Sequence, residues 1–171
     1  PVIADDQGAA DRISADDEFD SHTWLSSMAV TGGKAHFAYM AQTDPPREHY
    51  LRYDLSSGQR DQHLHPEFRG ERISLRGLSG FFVTEPKSPR LIYFVGNDGG
   101  RIGCLRSRDN GLTWTDYART EKTYAPYAIG GYRITDDGSI LGTFTQQRAS
   151  DDVLDFQSEV YFFSIVPSKS K

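Results

Sequence analysis

Histidines, tyrosines and arginines at strand boundaries carry the residue types that could do chemistry in this chain. His22, Arg76 and Tyr127 each stand at the approach to an apolar, strand-like stretch. A histidine and a tyrosine can move protons at a substrate, and a guanidinium can clamp a carboxylate through two parallel hydrogen bonds. Arg47, His49, Asn97, Arg101, Tyr124 and Arg148 lie in polar connections between such stretches. A tyrosine there can stack on a sugar face and offer its hydroxyl. Plain structural uses compete with each. His22, near Trp24, also suits a strand cap, the arginines suit surface charges, and Tyr124 and Tyr127 suit packing aromatics. His36 falls inside an apolar stretch and reads as packing or structural.

Metal chemistry has little support. His63 and His65 have an i, i+2 spacing that could ligate an ion from a strand, but no third ligand is evident. The acidic residues near the start lack the spacing of a calcium loop. Cys104 is the single cysteine, which excludes an intrachain disulfide and a multi-cysteine zinc site. It reads as a small buried apolar residue. No cofactor is expected, and a structural cation is allowed but not indicated.

These residues need a scaffold, and composition points to short strands. The chain has 171 residues, enough for one domain, with ten Phe, nine Tyr, sixteen Gly and eight Pro. A net charge of −5 and the absence of a basic cluster argue against a nucleic-acid partner. No apolar run is long enough to span a membrane, and no secretory signal is present. The chain begins at Pro1 without a Met, so an excised or processed piece is expected.

Residues 1–21 read as an acidic linker or loop. Strands are then predicted over Trp24–Val30, Lys34–Met40 and Tyr50–Asp54, the first two joined at Gly32-Gly33. The same order recurs in Leu78–Thr84, Arg90–Val95, Arg101–Arg106 and Thr113–Ala118, and again in Ala128–Ile134, Ser139–Thr145 and Glu159–Val166. Lys34, Arg90 and Ser139 are taken as equivalent hairpin positions, giving a repeat of about 50 residues. Three units result, at 22–70, 76–120 and 124–167, the last ending before its fourth strand.

In the second unit, Ser107-Arg108-Asp109-Asn110-Gly111-Leu112-Thr113-Trp114 reads S-x-D-x-G-x-x-W. Ser107 and Asp109 can bond nearby backbone N–H groups, Gly111 can supply a positive φ, and Trp114 can begin the return strand. A weaker copy surrounds Gly58, with Ser56 in the Asp109 place and Asp61 in the Trp114 place. The motif resembles the Asp-box of the bacterial neuraminidase repeat, found on β-propellers of sialidases and other carbohydrate-active proteins. The resemblance implies an all-β chain of about three four-stranded antiparallel blades, part of a six- to eight-bladed ring. The remainder of the propeller, from the same precursor or a second copy, is then an expected partner. It also implies a secreted, periplasmic or extracellular location.

In that topology the first-to-second and third-to-fourth turns share one face, which makes Ser107, Asp109, Gly111 and Trp114 structural. His22, Arg76 and Tyr127 fall on the opposite face near the axis, with Arg47, His49, Asn97, Arg101, Tyr124 and Arg148 around them. Asp20–Val30 and Tyr127–Gly131 resemble segments of propeller-type polysaccharide lyases. This resemblance implies β-elimination on a uronic-acid glycan, with His22 as base, Tyr127 as acid and Arg76 as carboxylate clamp. A sialidase-like glycoside hydrolase is an alternative, although the R-I-P signature of that family is missing. A non-catalytic glycan-binding or scaffold propeller is another. In each case the expected ligand is an acidic oligo- or polysaccharide.

Overall fold

The computed structural model describes residues 23–41, 47–61, 67–68, 71–72, 80–124, 126–147 and 158–167. They form an all-β fold with no helix among the described residues. The first sheet is an antiparallel meander of β1 (Thr23–Thr31), β2 (Lys34–Ala41), β3 (Arg47–Asp54) and the short β4 (Arg60–Asp61). Two short strands, β5 (Glu67–Phe68) and β6 (Glu71–Arg72), make a separate hairpin. The second sheet runs β7 (Gly80–Thr84), β8 (Ile92–Asp98), β9 (Arg101–Ser107) and β10 (Thr115–Arg119). The third is β11 (Pro126–Ile134), β12 (Ile140–Gln147) and β13 (Ser158–Ile165).

The second sheet lies between the other two, and its side chains alternate between two cores. Because successive residues of a strand point to opposite faces, β7 sends Phe82 one way and Phe81 and Val83 the other. Ile92, Phe94 and Leu105 join Phe82 against Ala38 and Tyr50 of the first sheet. Val95, Ile102 and Cys104 join Phe81 and Val83 against Ile129, Ile140, Phe144 and Ile165 of the third. Near-continuous burial along β7 and β8 follows from having a neighbour on each face. The inner strands meet directly: the Phe82 N–H donates to Ser27 Oγ at 3.0 Å, beside a register shift in β1 between Leu25 and Ser27.

Two local expectations are corrected. The strand predicted from Arg90 starts at Ile92, because Leu91 N–H closes a turn onto Ser88 O (2.8 Å) and Arg90 O accepts from Asn110 N–H (3.0 Å). The first residues of the second strands are therefore Lys34, Ile92 and Ile140, in place of Lys34, Arg90 and Ser139. Likewise β10 starts at Thr115, so Trp114 belongs to the turn and not to the return strand. Its ring leaves the turn to pack edge-on against Tyr50, 5.5 Å between centroids, and against Phe82 at 6.4 Å. In the copy around Gly58, the capping carboxylate is Asp54, which accepts from the Ser56 and Ser57 N–H groups at 2.9 Å each.

Candidate functional site

Two ends of the stacked sheets must be distinguished. At one end sit the β1–β2 turn, the β7–β8 turn and the Ser107–Trp114 segment. Ser107 Oγ accepts from Gly111 N–H at 2.7 Å and donates to Asp109 Oδ1 at 2.7 Å. Asp109 Oδ1 accepts from Thr113 N–H at 2.9 Å and Oδ2 from Thr113 Oγ1–H at 2.6 Å. Burial alone would raise the Asp109 carboxyl, but these donors outweigh it and hold the group below the usual carboxylate range. All of these bonds close the turn on itself.

What the turn presents outward is Asn110, and the first sheet holds it. Asn110 has a φ of 58°, and Gly111 follows at 81°. The Asn110 amide nitrogen donates to Gly32 O (3.3 Å), which directs Oδ1 to His36 Nε2 at 3.1 Å. The other ring nitrogen, Nδ1, lies 2.7 Å from the Tyr50 hydroxyl. One neutral tautomer satisfies both contacts: Nε2–H donates to Asn110 and Nδ1 accepts from Tyr50. Arg52 Nη1 donates to Asn110 O at 2.8 Å, and Thr31 Oγ1 donates to Pro89 O at 2.9 Å. His36 has no exposed surface. Its burial lowers the imidazole pKa to about 4; the Asn110 bond opposes this, and the Arg52 and Lys34 charges add to it. A packing or structural role is the sequence expectation for His36, and spacing gives no sign of the partners in this inter-sheet network.

The opposite end gathers several of the predicted binding residues. Arg47 and His49 are in the first half of β3, and Tyr127 is the second residue of β11. Asn97 and Arg101 flank the β8–β9 turn. The ends of the second and third sheets are tied there: Asn97 Nδ2 donates to Pro126 O (3.2 Å), and Tyr124 N–H donates to Gly100 O (2.7 Å). Asn97 Oδ1 accepts from Gly100 N–H at 2.8 Å, so both ends of that amide serve the backbone. Tyr124 packs edge-on against Phe144 at 5.3 Å and so belongs to the core between sheets. Arg101 is half-buried, and its cross-strand neighbour Asp98 is engaged by Arg119 Nε at 2.8 Å. No carboxylate pairs with Arg101 among the described residues. His22, Arg76 and Arg148 lie outside the described residues, as do His63 and His65.

Among the described residues no group of three His, Cys, Asp or Glu side chains converges as a metal site. Burial pushes the Cys104 thiol well above its ordinary range, which leaves it protonated. No helix is long and apolar enough to cross a membrane, among the described residues. Comparison with family models, curated proteins and solved structures returned no match.

Proposed function

We propose that the chain is an arc of blades from a carbohydrate-active β-propeller, and that the end opposite the Ser107–Trp114 turn receives an acidic glycan. Three observations support the propeller reading. The sheets are consecutive antiparallel meanders. They stack face to face with two cores. A third-to-fourth turn of Asp-box type clamps one sheet to the preceding one. Further sheets, from the same precursor or a second copy, have apolar faces to pack on. Met28 and Val30 are 55% and 53% exposed on the first sheet, and Val160 and Phe162 are 74% and 67% exposed on the third.

The reaction we assign is β-elimination on a uronic-acid glycan. An arginine neutralises the uronate carboxylate, which acidifies the C–H beside it. A base removes that proton, the electron pair forms the C=C bond, and the glycosidic C–O bond breaks as an acid protonates the leaving oxygen. His22 is assigned as base, Tyr127 as acid and Arg76 as clamp. The observation that carries the reading is Arg101, a half-buried guanidinium without a carboxylate among the described residues, at the end where Arg47, His49 and Tyr127 also stand. An exported location accompanies this reading.

Incubation with several uronate-containing glycans tests it, following ultraviolet absorbance of the unsaturated product. Growth of that signal supports elimination. Release of sugar from a fluorogenic sialoside without it would transfer the reading to a sialidase-like hydrolase. Saturable binding without turnover would make the chain a glycan-binding module.

A further inference from the structure

The contact between the first and second sheets has a counterpart between the second and third. Cross-strand pairing sets His36 opposite Arg52 in the first sheet and Tyr93 opposite Arg106 in the second. Each pair faces the following sheet: His36 and Arg52 hold Asn110, while Tyr93 borders the core shared with the third sheet. Among the described residues, no turn of the third sheet lies on Tyr93 and Arg106. They border instead a cleft of about 440 Å³, within the roughly 300–1,000 Å³ range of small-molecule sites.

The chemistry of this cleft differs from that of its counterpart. Arg90 and Arg108 line it together with Arg106 and Tyr93, so three guanidiniums and a phenol face one space. Register places Asp54, a carboxylate paired with Lys34 at 2.7 Å, at the first-sheet position that matches Arg108. Among the described residues no salt bridge engages any of the three arginines. Arg106 is preorganised: its guanidinium lies over the Tyr117 ring, 4.9 Å from the centroid, and Tyr117 in turn packs on Tyr93 at 5.1 Å. Stacking uses the face of the guanidinium and leaves its edge for an acceptor. Arg106 Nε is buried without a hydrogen-bond partner. A buried donor in that state favours an acceptor brought from outside. Burial also raises the Tyr93 hydroxyl, which keeps it a donor at neutral pH.

We propose that the cleft bounded by Arg90, Tyr93, Arg106 and Arg108 is a binding site for the carboxylate of a sugar acid. A planar carboxylate matches the forked donors of Arg106 and Arg108, and Tyr93 offers a hydroxyl to the sugar. The site is at the Ser107–Trp114 end, away from the one assigned to elimination, so each stands or falls without the other.

Titration with glucuronate, followed by NMR of the arginine Nε–H groups and by calorimetry, tests the proposal. The expected result is a saturable shift of the Arg106 Nε–H signal, absent with glucose, weaker at higher salt, and competed by sulfate. Arg106→Gln and the exposed-site variant Arg108→Gln should each weaken binding at least about tenfold, the loss of one charge-assisted hydrogen bond. If Arg106→Gln fails to fold, Arg108→Gln alone decides the question. The proposal is overturned by no saturable shift, by shifts unchanged in Arg108→Gln, or by sulfate binding with glucuronate silent. A lowered Tm in the variants with no anion binding would also overturn it, since the cleft would then be held by a turn of the protein itself.

Discussion

Replacing Gly111 with alanine imposes two separate penalties at the clamp between the first and second sheets. The backbone there has φ +81°, a left-handed conformation that costs an L-residue about 1–2 kcal/mol. In addition, an added Cβ would lie 1.9 Å from the Tyr50 hydroxyl and 3.2 Å from His36 Cε1. Tyr50 is buried and its hydroxyl bonds His36 at 2.7 Å, so the ring must shift and break that bond. An unmade buried hydrogen bond costs about 1–3 kcal/mol. Gly111→Ala should therefore lose about 2–5 kcal/mol, against a stability for domains of about 5–15 kcal/mol. Gly33→Ala is the internal control: its φ is +75°, but a Cβ there meets nothing within 4 Å. Only the backbone penalty applies, about 1–2 kcal/mol. Urea unfolding followed by fluorescence, with Trp114 beside Tyr50 as a local reporter, measures both. Adding Tyr50→Phe to Gly111→Ala should cost less than the two separate losses summed, because the clashing oxygen is gone. Equal losses in Gly111→Ala and Gly33→Ala would refute the reasoning.

Acid should weaken the same clamp. The His36 imidazole has its folded pKa lowered to about 4 from 6.5, so the unfolded chain binds the extra proton. Its contribution is constant above pH 6.5 and is lost as pH falls from 6.5 to about 4, up to about 3 kcal/mol. Asp54, Asp109 and Asp137 have lowered carboxyls, and their contribution is lost toward the acid end of that window and below it, in parent and His36 variant alike. Urea midpoints between pH 7 and pH 4 should thus decline in the parent and stay flatter in His36→Gln, and parallel curves would contradict the assignment. Cys104 offers a second measurement: with a buried, protonated thiol, disulfide reagents should label it only through opening of the core. Labelling at the rate of a free thiol under native conditions would show that the second and third sheets do not pack as described.

The strands were legible because burial enforces alternation on them. Phe81-Phe82-Val83 and Ile92–Val95 read as apolar runs since each faces a core on both sides. The turn at Ser107–Trp114 was legible because its bonds are local, within seven residues. What the sequence does not display is register between sheets. His36, Tyr50, Arg52 and Asn110 meet across up to 74 positions, and no spacing rule links them. Similarly, Arg90 has the look of a strand residue, but Leu91 N–H closes a turn onto Ser88 O and the distant Asn110 N–H takes the Arg90 carbonyl. Asn97 and Tyr124 illustrate the same limit at the candidate site. Their types suit sugar binding, yet the amide of one ties two sheets together and the ring of the other packs in the core. Arg101 keeps its candidacy because Asp98 pairs with Arg119.

The central claim is that the eliminating site and the stabilising Ser107–Trp114 turn occupy opposite ends of the same stacked sheets. Kinetics of unsaturated-product formation on a uronate glycan, compared between Tyr127→Phe and Asp109→Ala, test it most directly. Tyr127→Phe, lacking the assigned acid, should lose about 10²-fold or more in kcat with its unfolding curve unchanged. Asp109→Ala, lacking the carboxylate that accepts from Thr113, should lose about 1–2 kcal/mol of stability yet keep its kcat at temperatures where it is folded. No unsaturated product from any uronate glycan, or an equal fall of kcat in both variants, would contradict the account.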